Sequence, residues 1–292
     1  YIKTNSARRI LSWLDFEWQL LKLSKRKLLK PDVVICSSLS ILTILNGFLL
    51  KLRYRCKLVF EIRDIWPLTL VEEGGYSRFN PLIIVLGIVE SLGYRWSDMI
   101  VGTMPNLKEH VENVLGYSAV VHCIPMGYDR HHLHGIENLP NNYIERYIPK
   151  NKTIVTHLGS VGLTNSLHTL LECAALMANN TGIHFLIVGD GDLREYYVKK
   201  YGSLANVSFG PKVPKTMVQS ILIESDIVYV AVPNSKVWQY GQSLNKVVDY
   251  MLSGKPIIAS YNGFQSMINE ADSGIFIDAE DPIMLKDAIL NY

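Results

Sequence analysis

The sequence predicts an α/β protein built on two parallel sheets, and three observations carry that prediction. Short apolar runs recur along all 292 residues, helix-period windows separate them, and one long polar stretch near the middle shows neither pattern. Parallel strands covered by helices on both faces read as continuous apolar runs rather than as alternation.

In chain order the strand-like runs are DVVICS (32–37), KLVFEI (57–62), DMIVGT (98–103), AVVHCI (119–124) and TIVTHLG (153–159), followed by IHFLIVG (183–189), NVSFG (206–210), DIVYVAV (226–232), KPIIAS (255–260) and GIFID (274–278). Helical windows fall at 80–96, 105–115, 165–179, 191–202, 214–224 and 244–253. Strand and helix in alternation imply right-handed βαβ units. Ten strands crowd a single open sheet, so the polar, strand-poor stretch 127–152 reads as a hinge. A boundary near residue 145 divides the chain into 1–145 and 146–292. There is no internal repeat and no low-complexity segment.

With 48% hydrophobic and 19% charged residues the chain can bury a sizeable core. A net charge of +2 argues against a general nucleic-acid binder, yet residues 1–30 hold eight Lys or Arg against two acids. Cys36, Cys56, Cys123 and Cys173 lack CxxC spacing, which suits free thiols in a reducing, cytoplasmic setting. No window reaches the roughly 18 apolar residues of a spanning helix and no signal peptide opens the sequence, so the chain is not expected to cross a membrane by itself.

Ligands of open α/β sheets sit beyond the carboxyl ends of strands, and three such turns stand out. HLGSVGLTNSLHTLL puts Gly159, Ser160 and Gly162 between a strand and a helix capped near Asn165, with free N–H groups where a phosphate could approach. VGDGDLREYY repeats the arrangement at Gly189, Asp190 and Gly191. Glycine-rich turns are also ordinary α/β architecture, and either one alone decides nothing. Asp190 and Asp192 spell a DxD pattern, but on a turn entering a helix Asp is a common capping residue, so no metal is expected. His131, His132 and His134 read as solvated hinge residues.

The third turn opens a helix at Ser243 or Leu244, with Asn245 and Lys246 in its first turn and Asp249 on the same face. A lysine there opposes the helix dipole unless a dianion binds. Asp249 would accept from two adjacent hydroxyls such as those of a ribose, or pair locally with Lys246; spacing leaves both readings open.

The blocks SLNKVVDYMLSGKPIIAS, HLGSVG, FLIVGDGDLREYY, VSFGPKVPK and FEIRDIWPLTLVEEGGYS resemble the retaining GT-B glycosyltransferases of family 4, near the L-fucosamine transferases of O-antigen and capsule synthesis. The resemblance spans nearly the whole chain. It implies two Rossmann-like domains facing each other across a cleft, the second holding a nucleotide-sugar donor, a UDP-sugar. By match to family motifs, Asp249 would bind the ribose, and the loop from Gly241 through Ser243 and Asn245 to Lys246 would cradle the diphosphate. Gly159 and Ser160 would face the phosphates, and Lys212 and Val213 would contact the base. Arg63, Asp64 and Glu73 would lie near the reaction centre, with Arg63 where relatives carry His beside the sugar.

The sequence departs from the family at three points. Position 241, where the first Glu of Glu-x7-Glu belongs, is glycine. The first glycine turn lacks the usual Arg and Lys, leaving Lys246 as substitute. The opening strands, the acceptor loop and the closing helix of the family are missing, so the first domain is expected to be incomplete and the activity of this chain unsettled. The implied mechanism is retaining and metal-free, with no cofactor: helix N-termini and Lys246 meet the leaving-group charge and Arg63 stands close by.

Residues 9–30 mix Ile10, Leu11, Trp13, Leu14, Phe16 and Trp18 with Lys22, Lys25, Arg26 and Lys27, the composition of a helix lying on an anionic inner-leaflet surface or of one buried between neighbours. The first reading is preferred and suits a peripheral enzyme, since the resemblance implies a lipid-linked or saccharide acceptor. A non-catalytic nucleotide-sugar-binding or partner subunit and a sugar-nucleotide epimerase on the same fold remain as alternatives. A dinucleotide oxidoreductase is disfavoured, because neither glycine turn makes a clean G-x-G-x-x-G.

Overall fold

The computed structural model describes residues 7–22, 30–129, 135–265 and 267–292. His131, His132, His134, Lys25, Arg26 and Lys27 therefore lie outside the described residues. The chain divides into two compact units. The first comprises 1–125 and Ser235–Gln242, the second Met126–Asn234 and Ser243–Tyr292. Residues 126–145 thus belong to the second unit, and the chain returns to the first for eight residues late in its course.

The first unit opens with α1 (Ala7–Lys22), then β1 (Val33–Ser37), α2 (Thr43–Tyr54), β2 (Lys57–Ile62), α3 (Leu68–Glu72), α4 (Pro81–Trp96), β3 (Met99–Gly102), α5 (Leu107–Leu115) and β4 (Val121–Cys123). The four strands are parallel in the order β1-β2-β3-β4. α4 starts where Asn80 accepts from the Leu82 N–H and Pro81 takes the first position, both ordinary start signals.

α1 is docked through a buried carboxylate. Glu17 accepts from Thr43 Oγ1 at 2.7 Å and Asn46 Nδ2 at 2.6 Å, with Ser40 Oγ at 3.1 Å. Its outer side leaves Leu14, Phe16, Trp18 and Leu21 exposed. The core gathers Ile44, Leu58, Phe60, Ile62, Leu107 and Val111, and the late return contributes Val237 and Tyr240 to it. Tyr240 meets His110 edge-on at 5.0 Å, while His110 Nε2 lies 2.6 Å from Glu90.

The second unit contains α6 (Asn141–Tyr147), β5 (Thr153–Leu158), α7 (Leu167–Leu176), β6 (Ile183–Val188), α8 (Arg194–Tyr201), β7 (Val207–Gly210), α9 (Val218–Ile223), β8 (Ile227–Ala231), α10 (Asn245–Ser253), β9 (Ile257–Ser260), β10 (Gly274–Ile277) and α11 (Pro282–Leu290). Its six parallel strands run β10-β9-β8-β5-β6-β7. β6 is buried at every residue, as its unbroken apolar run requires.

All ten expected strands form, each within about two residues of its predicted ends. α2, α3, α6 and α11 add to the helical windows named from sequence. The four cysteines are free, with Cys123 exposed and the others buried. No helix among the described residues is long and apolar enough to cross a membrane.

Candidate functional site

The strand order of the second sheet reverses at β5, which pairs with β6 on one side and β8 on the other. Chain leaving β5 and chain leaving β8 diverge there, which opens a crevice at their carboxyl ends. The Gly159 turn leaves β5 at this point, and α10 follows β8.

Glycine at 189 has a steric cause, and glycine at 159 a conformational one, its φ of 150°. The two turns lie back to back: Gly159 N–H donates to Val188 O at 2.9 Å and Val161 N–H to Asp190 O at 2.9 Å. Gly189 has φ 147°, and a Cβ there would overlap the Gly159 carbonyl. The two phosphate-type motifs of the sequence are one hydrogen-bonded structure. Arg194, unremarked in the sequence, fastens it from α8: Nε donates to Gly189 O at 2.9 Å, and Nη2 to Phe209 O at 3.0 Å and Gly210 O at 3.2 Å. A guanidinium three residues past the last glycine of GDG was the available signal. Asp190 accepts from its own neighbour, the Gly191 N–H, at 2.8 Å. Gly189, Asp190, Asp192, Arg194 and Lys212 line an open pocket of about 510 Å³. Val213 turns the other way and packs with Leu186 and Ile221.

α10 is set by Tyr250, whose fully buried hydroxyl accepts from Leu158 N–H at 2.9 Å and donates to Leu158 O at 3.2 Å. That anchor ties the helix to the end of β5. Lys246 lies four residues earlier on the same face, so its side chain reaches the Gly159 turn. Its ammonium donates to Asn165 Oδ1, and desolvation lowers its pKa to about 8. Asn165 does not cap α7; Ser166 occupies the cap position without a side-chain bond, and the Asn165 amide oxygen serves Lys246 instead. Leu244, the residue before α10, offers no side-chain cap, so nothing from that side chain satisfies the first-turn N–H groups. Asn245 is exposed there.

Under Lys246 lies His157, fully buried. Burial first, and the Lys246 charge second, hold its pKa well below the ordinary histidine value. The main chain at Ser160 and Tyr229 opposes that shift, yet neither ring nitrogen has a partner with hydrogen-bond geometry. The Ser160 side chain itself is exposed.

Asp249 does not pair with Lys246. Its carboxylate is taken by Lys215, whose Nζ stands 2.6 Å from Oδ1 and 2.5 Å from Oδ2. The local ion pair that spacing allowed is thus replaced by one spanning 34 residues. Ser243 Oγ accepts from the Met126 N–H at 2.7 Å, which occupies the hydroxyl structurally.

The remaining residues named from sequence lie in the first unit. Ser38, almost fully buried, receives the N–H groups of Arg63 at 2.9 Å and Asp64 at 3.1 Å, and donates to Asp64 O at 3.0 Å. That hydroxyl shapes the Arg-Asp loop. Glu73 is half-buried near Trp238 and Ser235 of the returning segment, and its pKa is raised, chiefly by desolvation. Gly241 has φ 99°, and a Cβ would overlap the ring of Pro105. The missing family glutamate therefore has a physical reason: no side chain fits at position 241 in this arrangement.

Residues 152–292 match the glycosyl transferases group 1 family, just under half of the chain. Comparison with curated protein sequences gave no match. Among solved structures the chain resembles sucrose-phosphate synthase from Thermosynechococcus elongatus, with a TM-score of 0.72 and 16% identity over 99% of this chain and 71% of that one. HepE of Anabaena in complex with UDP and glucose matches with a TM-score of 0.63 and 16% identity over 89% of this chain and 67% of that one. TarM of S. aureus, in a complex that includes UDP, matches with a TM-score of 0.61 and 14% identity over 93% and 50%. At these identities the likeness shows the fold, that of the GT-B glycosyltransferases. The family match over residues 152–292 and the fold agree on a glycosyltransferase.

Proposed function

We propose that this chain transfers a sugar from a UDP-sugar donor, with retention and without a metal, to a lipid-linked or saccharide acceptor in bacterial-type surface polysaccharide synthesis. The observation that carries the donor half is the Lys246 ammonium held at the Gly159 turn, beside the uncapped start of α10 and at the strand-order reversal. A diphosphate there meets a cation and the amino end of a helix at once. Asp249 then takes the ribose hydroxyls, with the backbone of Lys212 and Val213 toward the base. The UDP named for HepE and TarM favours UDP over other nucleotides. As the leaving diphosphate gathers charge, Lys246 and the helix N–H groups stabilise it, and the phosphate takes the acceptor's proton. Arg63, Asp64 and Glu73 are assigned to the transfer step rather than to nucleotide binding.

Titration with UDP and GDP, with and without Mg²⁺, tests this reading. Selective, metal-independent UDP binding that Asp249→Ala abolishes is expected; indifference to that substitution would remove the donor assignment. A non-catalytic nucleotide-sugar-binding subunit is the second reading, favoured by the absence of room for a carboxylate at Gly241. Product analysis with UDP-sugars and acceptors separates the two. The reading also places α1 on an anionic membrane face, since Leu14, Phe16, Trp18 and Leu21 are exposed within a strongly basic segment. Sedimentation with anionic and neutral vesicles checks that placement, and equal binding to both would reject it.

A further inference from the structure

Resting on the donor reading above, we propose that Asn165 is a positioning residue for transfer. Its side-chain oxygen holds the Lys246 ammonium at the Gly159 turn, so that a nucleoside diphosphate meets a cation delivered from α10 rather than from the turn itself.

The argument begins with charge compensation. A desolvated ammonium is ordinarily matched by a carboxylate, because a neutral acceptor repays only part of the lost hydration. Around Lys246 the partners are neutral. Asn165 from the short 3-10 turn Leu163–Asn165 supplies an amide oxygen, and His157 from β5 is held uncharged. Tyr250, one turn on along α10, spends its hydroxyl on Leu158. The carboxylate of the same helix, Asp249, is committed to Lys215. The crevice therefore holds a positive charge whose compensation an incoming anion would complete.

The second part concerns Asn165. It is buried, stands 81 residues from Lys246 in sequence, and caps no helix with its side chain. A free lysine stem samples many rotamers, and fixing one costs on the order of 1–2 kcal/mol. Asn165 fixes it before any ligand arrives, and the lowered Lys246 pKa agrees with an ammonium drawn out of water. A purely structural staple between α10 and the turn would need no cation. An arrangement of neutral groups around one ammonium is what anion recognition needs.

The test is UDP binding to the full chain by calorimetry from pH 7 to 10, where the nucleotide's own phosphate ionisation, with a pKa near 6, is largely complete. The wild-type affinity is expected to fall as pH rises past about 8, where Lys246 loses its proton. Asn165→Leu should weaken binding about 10-fold at pH 7 and move that break to lower pH, since the acceptor that favours the charged form is gone. Asn165→Asp should move the break to higher pH, and Lys246→Met should remove it. Melting curves confirm that each variant folds. A break that Lys246→Met removes but neither Asn165 variant moves would overturn the proposal and leave the donor reading standing. Absence of UDP binding by the wild type, or binding indifferent to Asp249→Ala, would bring down the donor reading and this inference with it.

Discussion

The two units share a device and differ in strand order, and the difference locates the chemistry. In each, a Ser-Asp pair precedes a strand: Ser97-Asp98 before β3 and Ser225-Asp226 before β8. Each serine hydroxyl donates to the carbonyl four residues back, and each aspartate receives a backbone N–H from the neighbouring strand, Leu58 and Ile154 respectively, at 2.8 Å. The Asp N–H groups return the bond to Leu58 O and Ile154 O. Architecture at the amino ends of the strands is thus held in common. At the carboxyl ends it is not. The described strands of the first unit follow one another in sequence order and end in a loop held by Ser38, whereas the second sheet reverses at β5 and carries a desolvated lysine there. We place the site where topology opens a crevice and a charge is brought to it; the described strands of the first sheet make no such reversal.

The largest expected effect asks whether nucleotide binding belongs to the second unit alone. Asp249→Ala and Lys246→Met should each weaken UDP binding by about 100-fold or more, the scale of losing a buried charged contact. Asp64→Asn in the first unit should leave UDP affinity nearly unchanged while lowering turnover. Calorimetry paired with a transfer assay separates the two, and loss of UDP binding in Asp64→Asn would break the comparison.

Next comes the stability cost of the lysine. Its pKa near 8 lies below the usual 10.5, so between those values the unfolded chain keeps a proton that the folded chain has released. Folding stability attributable to Lys246 therefore rises with pH across that window, and below it the full cost is on the order of 3 kcal/mol. Lys246→Met should be more stable than wild type at pH 7 in urea titrations, with the gap closing toward pH 10.5. A gap independent of pH would sink this account.

The shared device is tested by Asp98→Ala and Asp226→Ala, each expected to cost about 2 kcal/mol in chemical denaturation. Unequal costs would mean that the likeness is only geometric. Asp98 adds a pH signature. The hydrogen bond from Lys51 first, and the Leu58 N–H next, lower its pKa from 3.8 to about 2, so its contribution is present above 3.8 and lost as pH falls toward 2. Asp98→Ala should flatten the acid limb of the stability curve. The smallest effect is at Lys215, a partly exposed partner worth up to about 1 kcal/mol. Because its ammonium meets both Asp249 oxygens, Lys215→Met should tighten UDP binding by roughly two- to threefold, and a weaker complex would show that the lysine aids the nucleotide instead.

Much of this was legible in the sequence because burial leaves local marks. IHFLIV reads as a strand since both of its faces are covered, and Asn80-Pro81 reads as a helix start since a cap needs only its neighbours. The glycine turns after β5 and β6 were visible as turns, but their contact with each other was not, since nothing local ties Val161 to Asp190. The partners of Lys246 and Asp249 lie 81 and 34 residues away, beyond any spacing rule. His157 did leave a trace, a lone polar ring inside TIVTHLG, but without Lys246 in view it reads as a core residue. The return of Ser235–Gln242 to the first unit was hidden for the same reason: Val237 and Tyr240 look like any apolar pair until their core is known.

The paired glycine turns also constrain how such a chain can diverge. The Gly159 carbonyl leaves no room for a side chain at Gly189, Gly159 itself has φ 150°, and Arg194 braces the Gly189 carbonyl. A side chain at Gly189 would have to be answered by a shift of the Gly159 turn, and one at Gly159 by a change of its own backbone angle, so single-step variation is closed to the turn backbones. Drift toward a different donor would have to accumulate at the exposed flanking positions, Ser160, Asp190 and Lys212, which can vary one at a time while the frame beneath them stays fixed.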